Sequence, residues 1–70
     1  MENKAKILKE FLIALQSTRG ADDLENMRLL RNKITGDELV MLEFRNGHKK
    51  AVNVTGDSGC AMMRDILKEF

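Results

Sequence analysis

The 70-residue chain carries twelve Lys and Arg against eleven Asp and Glu, a net charge of +1, which describes one domain of ordinary soluble composition. That near-neutral balance excludes a global attraction to nucleic acid or to an anionic membrane. A single cysteine and a single histidine exclude an internal disulfide and any zinc site that needs two cysteines.

No apolar run approaches the roughly 20 residues of a membrane span, and no basic–apolar–small leader opens the chain. The expectation is a cytoplasmic protein with no membrane partner and no cofactor. A chain this short buries only about 60% of its unfolded surface, so a lone domain is marginal. Pro, Trp and Tyr are absent, and the core rests on Leu, Ile, Val, Met and three Phe.

Residues 3–18 read as a helix. Ala5, Leu8, Leu12 and Leu15 recur at helical spacing, and Ile7, Phe11 and Ala14 widen the stripe. Glu2 and Lys6 form a favourable i,i+4 pair, and Gly20 is the expected C-cap. Residues 21–34 fit two patterns. Leu24, Met27, Leu30 and Ile34 match a helix over 22–34, which gives the alternative order α-α-β-β-α. One turn at 21–25 and a strand over 26–32 match as well. The turn signal "TGDE" at 35–38 leads into a clear strand, so a hairpin favours the second reading.

Residues 38–45, "ELVMLEFR", alternate as a strand. Asn46-Gly47 marks a hairpin, and "KKAVNVT" returns. A two-residue loop pairs Arg45 with His48 and sends Val52 and Val54 to the face opposite Val40, Leu42 and Phe44. A three-residue loop with Gly47 left-handed pairs Phe44 with His48 and gathers all five on one face. It also sets Glu43 across from Lys49. A one-residue slip swaps faces, so the three-residue loop is predicted. Residues 57–70 then form a second helix, capped by Asp57 or Ser58, with Met63, Ile66, Leu67 and Phe70 as its apolar stripe.

The predicted fold is a single α+β domain over 1–70: helix, three-stranded antiparallel meander, helix, with both helices on one sheet face. The other face carries Leu39, Met41 and Ala51, an apolar set that a lone domain of this size leaves open. Those three residues are the expected face of a homodimer.

Three constellations bear on chemistry. Gly56-Asp57-Ser58-Gly59 matches the nucleophile surroundings of trypsin-like proteases, and His48 lies upstream. A triad needs the serine hydroxyl on a histidine that a buried carboxylate orients. Asp57 and Ser58 are neighbours whose side chains point apart, so no catalytic residue is assigned and no enzyme is expected. The plainer reading is a strand-to-helix turn: Gly56 turns the chain, Asp57 or Ser58 caps the helix, and Gly59 and Ala61 keep the first turn small. Arg45, His48, Lys49 and Lys50 form the one local cationic excess, a candidate contact for nucleic acid or an acidic partner. Cys60 is expected to be a small buried hydrophobe.

The order helix-strand-strand-strand-helix resembles the double-stranded RNA-binding domain, which also contacts RNA through a hairpin loop. That family places lysines at the start of its last helix, where this chain has Asp57-Ser58-Gly59-Cys60. From residue 38 onward the chain also resembles short uncharacterised bacterial proteins of Firmicutes phage and mobile elements. The shared pattern is Asn46-Gly47, Asn53-Val54-Thr55, Asp57-Ser58-Gly59, Ala61-Met62 and Arg64-Asp65-Ile66. The resemblance implies a bacterial or phage origin and no activity. Taken with the residues, the expectation is a small cytoplasmic, non-enzymatic, homodimeric interaction module. Nucleic-acid binding through the hairpin tip is the alternative.

Overall fold

The computed structural model describes residues 3–70, so the Glu2 half of the expected Glu2–Lys6 pair lies outside the described residues. The elements run α1 (Lys4–Gln16), β1 (Leu24–Arg31), β2 (Glu38–Phe44), β3 (Lys49–Asn53) and α2 (Gly59–Leu67). The strands form one antiparallel sheet in the order β1-β2-β3. This is the predicted α+β meander, and residues 24–31 are strand and not helix.

α1 begins where Asn3 Oδ1 accepts from the Lys6 N–H at 3.1 Å, one of the donors a helix start leaves orphaned. It buries Leu8 and Leu15 and rests Ile7, Phe11 and Leu12 half-buried against the core. Ala5 and Ala14, expected in the stripe, are exposed. The helix ends earlier than predicted. Ser17 is its C-cap, and the Ser17 and Thr18 hydroxyls donate back to the Ile13 and Ala14 carbonyls. Gly20, at φ +92°, instead turns the chain toward Ala21.

β1 enters the sheet with a bulge. Leu24 pairs with Phe44 and Asn26 with Glu43, leaving Glu25 as the extra residue. The bulge keeps both Leu24 and Met27 on the helix-covered face, where they are buried. The β1–β2 connection is closed by Asn32. Its side chain accepts from Ile34 and Thr35, and its carbonyl accepts from Gly36 at 2.8 Å.

The β2–β3 hairpin adopts the three-residue register. The Phe44 N–H donates to the His48 carbonyl at 2.9 Å, Gly47 closes the turn on Phe44 with φ +87°, and Glu43 faces Lys49. Val40, Leu42, Phe44, Val52 and Val54 all point into the core. Gly47 is where the sequence needs a left-handed residue, and glycine takes it without a Cβ clash.

α2 departs from its predicted phase. Gly59, Met62 and Ile66 are buried, whereas Leu67 is 50% and Phe70 42% exposed. The helix also spans 59–67 and not 57–70. A stripe at 59, 62 and 66 is narrower than the one drawn through Met63. Phe70 lies beyond the helix, its ring tilted 60° against Phe44 at 6.0 Å.

Candidate functional site

The hairpin tip holds the four predicted contact residues. Two of its lysines are already engaged inside the domain. Lys49 Nζ lies 3.8 Å from Glu43, whose other oxygen is 2.9 Å from Arg28. Lys50, half-buried, donates to the Glu69 carbonyl at 3.2 Å and sits 5.9 Å from the Phe44 ring centroid. Arg45 and His48 are exposed. Shallow depressions on either side of the tip are lined by Asp23 and Glu69 on one side and by Glu25 and Glu43 on the other. The cations therefore stand among acids, and the tip is not the uniform positive surface that a phosphate backbone attracts.

The residues of the protease-like pattern are held apart. His48 precedes β3 and Ser58 follows it, so a five-residue strand of about 16 Å separates them. Ser58 is instead the N-cap of α2, with its Oγ accepting from the Ala61 N–H at 3.2 Å. Gly56, at φ +75°, makes the turn before it. Ser58→Ala is expected to cost about 1 kcal/mol of stability through the lost cap, read as a lower melting temperature with the fold retained.

Asp57, the other cap candidate, has a different role. Its Oδ2 is shut away from solvent with no hydrogen-bond donor among the described residues, and the Asp65 carboxyl stands against the same group. Two carboxylates can bond each other only when one holds a proton. Contact with Asp65, helped by burial, therefore raises the Asp57 pKa above its usual 3.8. The same contact, helped by Lys68 at 3.4 Å, lowers that of Asp65. A raised folded-state pKa adds stability below 3.8 that is lost as pH rises through the folded value. Where both carboxyls are ionised the pair is two like charges, so Asp57→Asn, which supplies an N–H in place of the proton, is expected to raise the melting temperature at pH 7. The gain should shrink as pH falls toward 3.8.

Cys60 is exposed and not buried as expected. The phase of α2 puts Met62 and Ile66 inward and turns Cys60 to the groove between the helices. Ile7, Phe11, Ala14 and Met63 also line that groove, and the Arg64 guanidinium lies 3.8 Å from Sγ. No group of three or more His, Cys, Asp or Glu among the described residues could hold a metal ion. No described helix is long and apolar enough to cross a membrane.

The sheet face away from the helices holds the rest of the predicted residues. Cross-strand pairing sets Leu30 beside Leu39, and Arg28, Met41 and Ala51 in the next row. Leu30 is 44% exposed, Ala51 is exposed, and Leu39 and Met41 are half-buried. Beyond one end of this face Ile34 stands 95% exposed in the β1–β2 loop. At the other end Arg28, Glu43 and Lys49 form a charged border.

The sequence reading missed one cluster. Glu38, at the start of β2, accepts from Lys4 at 2.8 Å and from Arg31 at 2.6 Å. Lys4 also donates to the Val54 carbonyl at 2.9 Å. Both bonds to Glu38 hold its carboxyl below the usual range. Arg31 could have been found from the hairpin register, which places it opposite Glu38. Lys4, 34 residues away from Glu38 in sequence, gives no local signal.

The chain matches no family model, no curated protein and no solved structure.

Proposed function

We propose that this chain is a small non-enzymatic interaction module that works as a homodimer in the cytoplasm, consistent with a phage or mobile-element origin. The observation that carries this reading is the outer sheet face. Leu30, Leu39, Met41 and Ala51 form a contiguous apolar surface that no helix or loop among the described residues covers, with a charged border on the hairpin side. Apolar patches rimmed by charge mark protein contact sites. The nucleic-acid reading draws less support, because Lys49 and Lys50 are engaged with Glu43 and with the end of the chain.

Sedimentation velocity at micromolar concentration tests the module. The expected result is a species of about 16 kDa, twice the 8.0 kDa chain. A single 8-kDa boundary at every concentration removes the homodimer. Retention on a DNA or RNA column that falls with salt, and is lost on replacing Lys49 and Lys50 by Glu, would favour the alternative.

A further inference from the structure

We propose that two copies of this chain join edge to edge through β1, forming one continuous six-stranded sheet. This rests on the homodimer reading and differs from it in one respect: the copies meet at the β1 edge and not at the outer apolar face, which stays open on both copies for a further partner.

The backbone of β1 supplies the reason. The Asn32 N–H donates to the Asp37 carbonyl, and the Val54 N–H donates to the Glu38 carbonyl. In an antiparallel ladder the direction alternates from residue to residue. Odd-numbered residues of β2 therefore face β1 and even-numbered ones face β3. On β1, Asn26, Arg28 and Leu30, which pair with Glu43, Met41 and Leu39, point inward. Met27, Leu29 and Arg31 point their N–H and C=O groups outward, and no strand among the described residues lies beyond them.

The start of that edge is already closed. Gln16 Nε2 donates to the Leu24 and Glu25 carbonyls at 3.1 and 3.2 Å. The opposite edge, β3, has only five residues and begins with two lysines, the usual guard against strand addition. The open stretch from Met27 to Arg31 has no such cover. Two core residues, Leu12 of α1 and Leu29 of β1, also remain half-buried rather than enclosed.

Charge permits a second copy, and the length of the open stretch selects the register centred on Leu29, the one that pairs all three of Met27, Leu29 and Arg31. An axis through Leu29 pairs Met27 with Arg31 of the second copy, and Arg28 with Leu30 of the second copy, so no like charges stand opposite each other. An axis through Arg31 sets arginine against arginine. An axis through Met27 needs the Glu25 carbonyl that Gln16 already holds.

The axis makes Leu29 its own neighbour. Hydrogen-bonded antiparallel partners have Cα atoms about 5.5 Å apart, within disulfide range. In a Cys60→Ser background, Leu29→Cys under mild oxidation is expected to convert most of the chain to a 16-kDa species on a non-reducing gel, twice the 8.0-kDa chain. Met41→Cys, on the outer face of β2, should stay monomeric on the same gel. Mixing separate Met27→Cys and Arg31→Cys proteins should give the cross-linked pair, which covers the case in which Leu29→Cys misfolds by circular dichroism. If the parent is dimeric by sedimentation, but Met41→Cys cross-links and the β1 variants do not, the copies meet face to face and the edge proposal falls alone. If the parent is monomeric, both the edge proposal and the homodimer fall.

Discussion

Met62→Ala is expected to destabilise the domain by about 2–5 kcal/mol. Met62 is completely buried on α2, within the core cluster. The substitution removes the thioether arm and leaves a cavity that a close-packed core closes only in part. A chain of this length has roughly 4–10 kcal/mol of stability to lose. At the low end of that range the loss unfolds much of the population. Met63 is half-buried at the groove, so Met63→Ala is expected to cost only a fraction as much. Urea titration of the two variants reads the difference from the midpoint, provided the slope is unchanged. A larger loss at Met63 than at Met62 would mean that α2 presents the face its sequence periodicity suggested.

Removing the Glu38 carboxylate is expected to cause the largest loss of any single charge change in the domain. Glu38 is the point where α1, β1 and the end of β3 are tied together. It holds Lys4 and Arg31 with its side chain, while its own N–H donates to the Thr55 hydroxyl at 2.9 Å. Lys4 has a side chain only 13% exposed, so Glu38→Gln leaves a largely covered ammonium without its counter-charge. Arg31 is 61% exposed, and Arg31→Ala should stay within about 1 kcal/mol. Glu38 has its pKa lowered from 4.5 by these bonds. Its contribution is therefore fully present above 4.5 and lost as pH falls through the lowered folded value. The acid limb of a stability–pH curve should be shallower in Glu38→Gln than in the parent. An unchanged acid limb would show that Glu38 contributes nothing through its charge.

Most of the architecture was legible because its signals are local. Asn46-Gly47 with five aligned apolar side chains admits only one hairpin register, and the structure has it. Gly56 and Ser58 announce a turn and a cap within three residues. The strand at 24–31 was harder, since Leu24, Met27 and Leu30 also satisfy helical spacing. The bulge at Glu25 accounts for the first step, since the extra residue puts Leu24 and Met27 three apart on one face, while Leu30 lies on the other. α2 turns a different phase inward from the one its periodicity suggests, because Met62 and Met63 are equally apolar and only the surrounding core decides between them.

The candidate site was legible to the same degree. Leu39, Met41 and Ala51 share the outer face as the alternation required, but Leu30 joins them only through β1 pairing. The cationic tip looked unopposed along the sequence. Its acids, Asp23, Glu25 and Glu69, arrive from other elements. The open edge of β1 has no sequence signature either, since it depends on strand order and on Gln16 closing one end.

Amide hydrogen exchange followed across protein concentration tests most directly whether this sheet is an association surface. The N–H groups of Met27, Leu29 and Arg31 point away from the sheet, so in a lone chain they exchange as exposed amides. The expected result is that they become protected as concentration rises through the micromolar range, while Arg28 and Leu30, bonded to β2, stay protected throughout. Fast exchange at Met27, Leu29 and Arg31 at every concentration, alongside a constant 8-kDa mass, would contradict it.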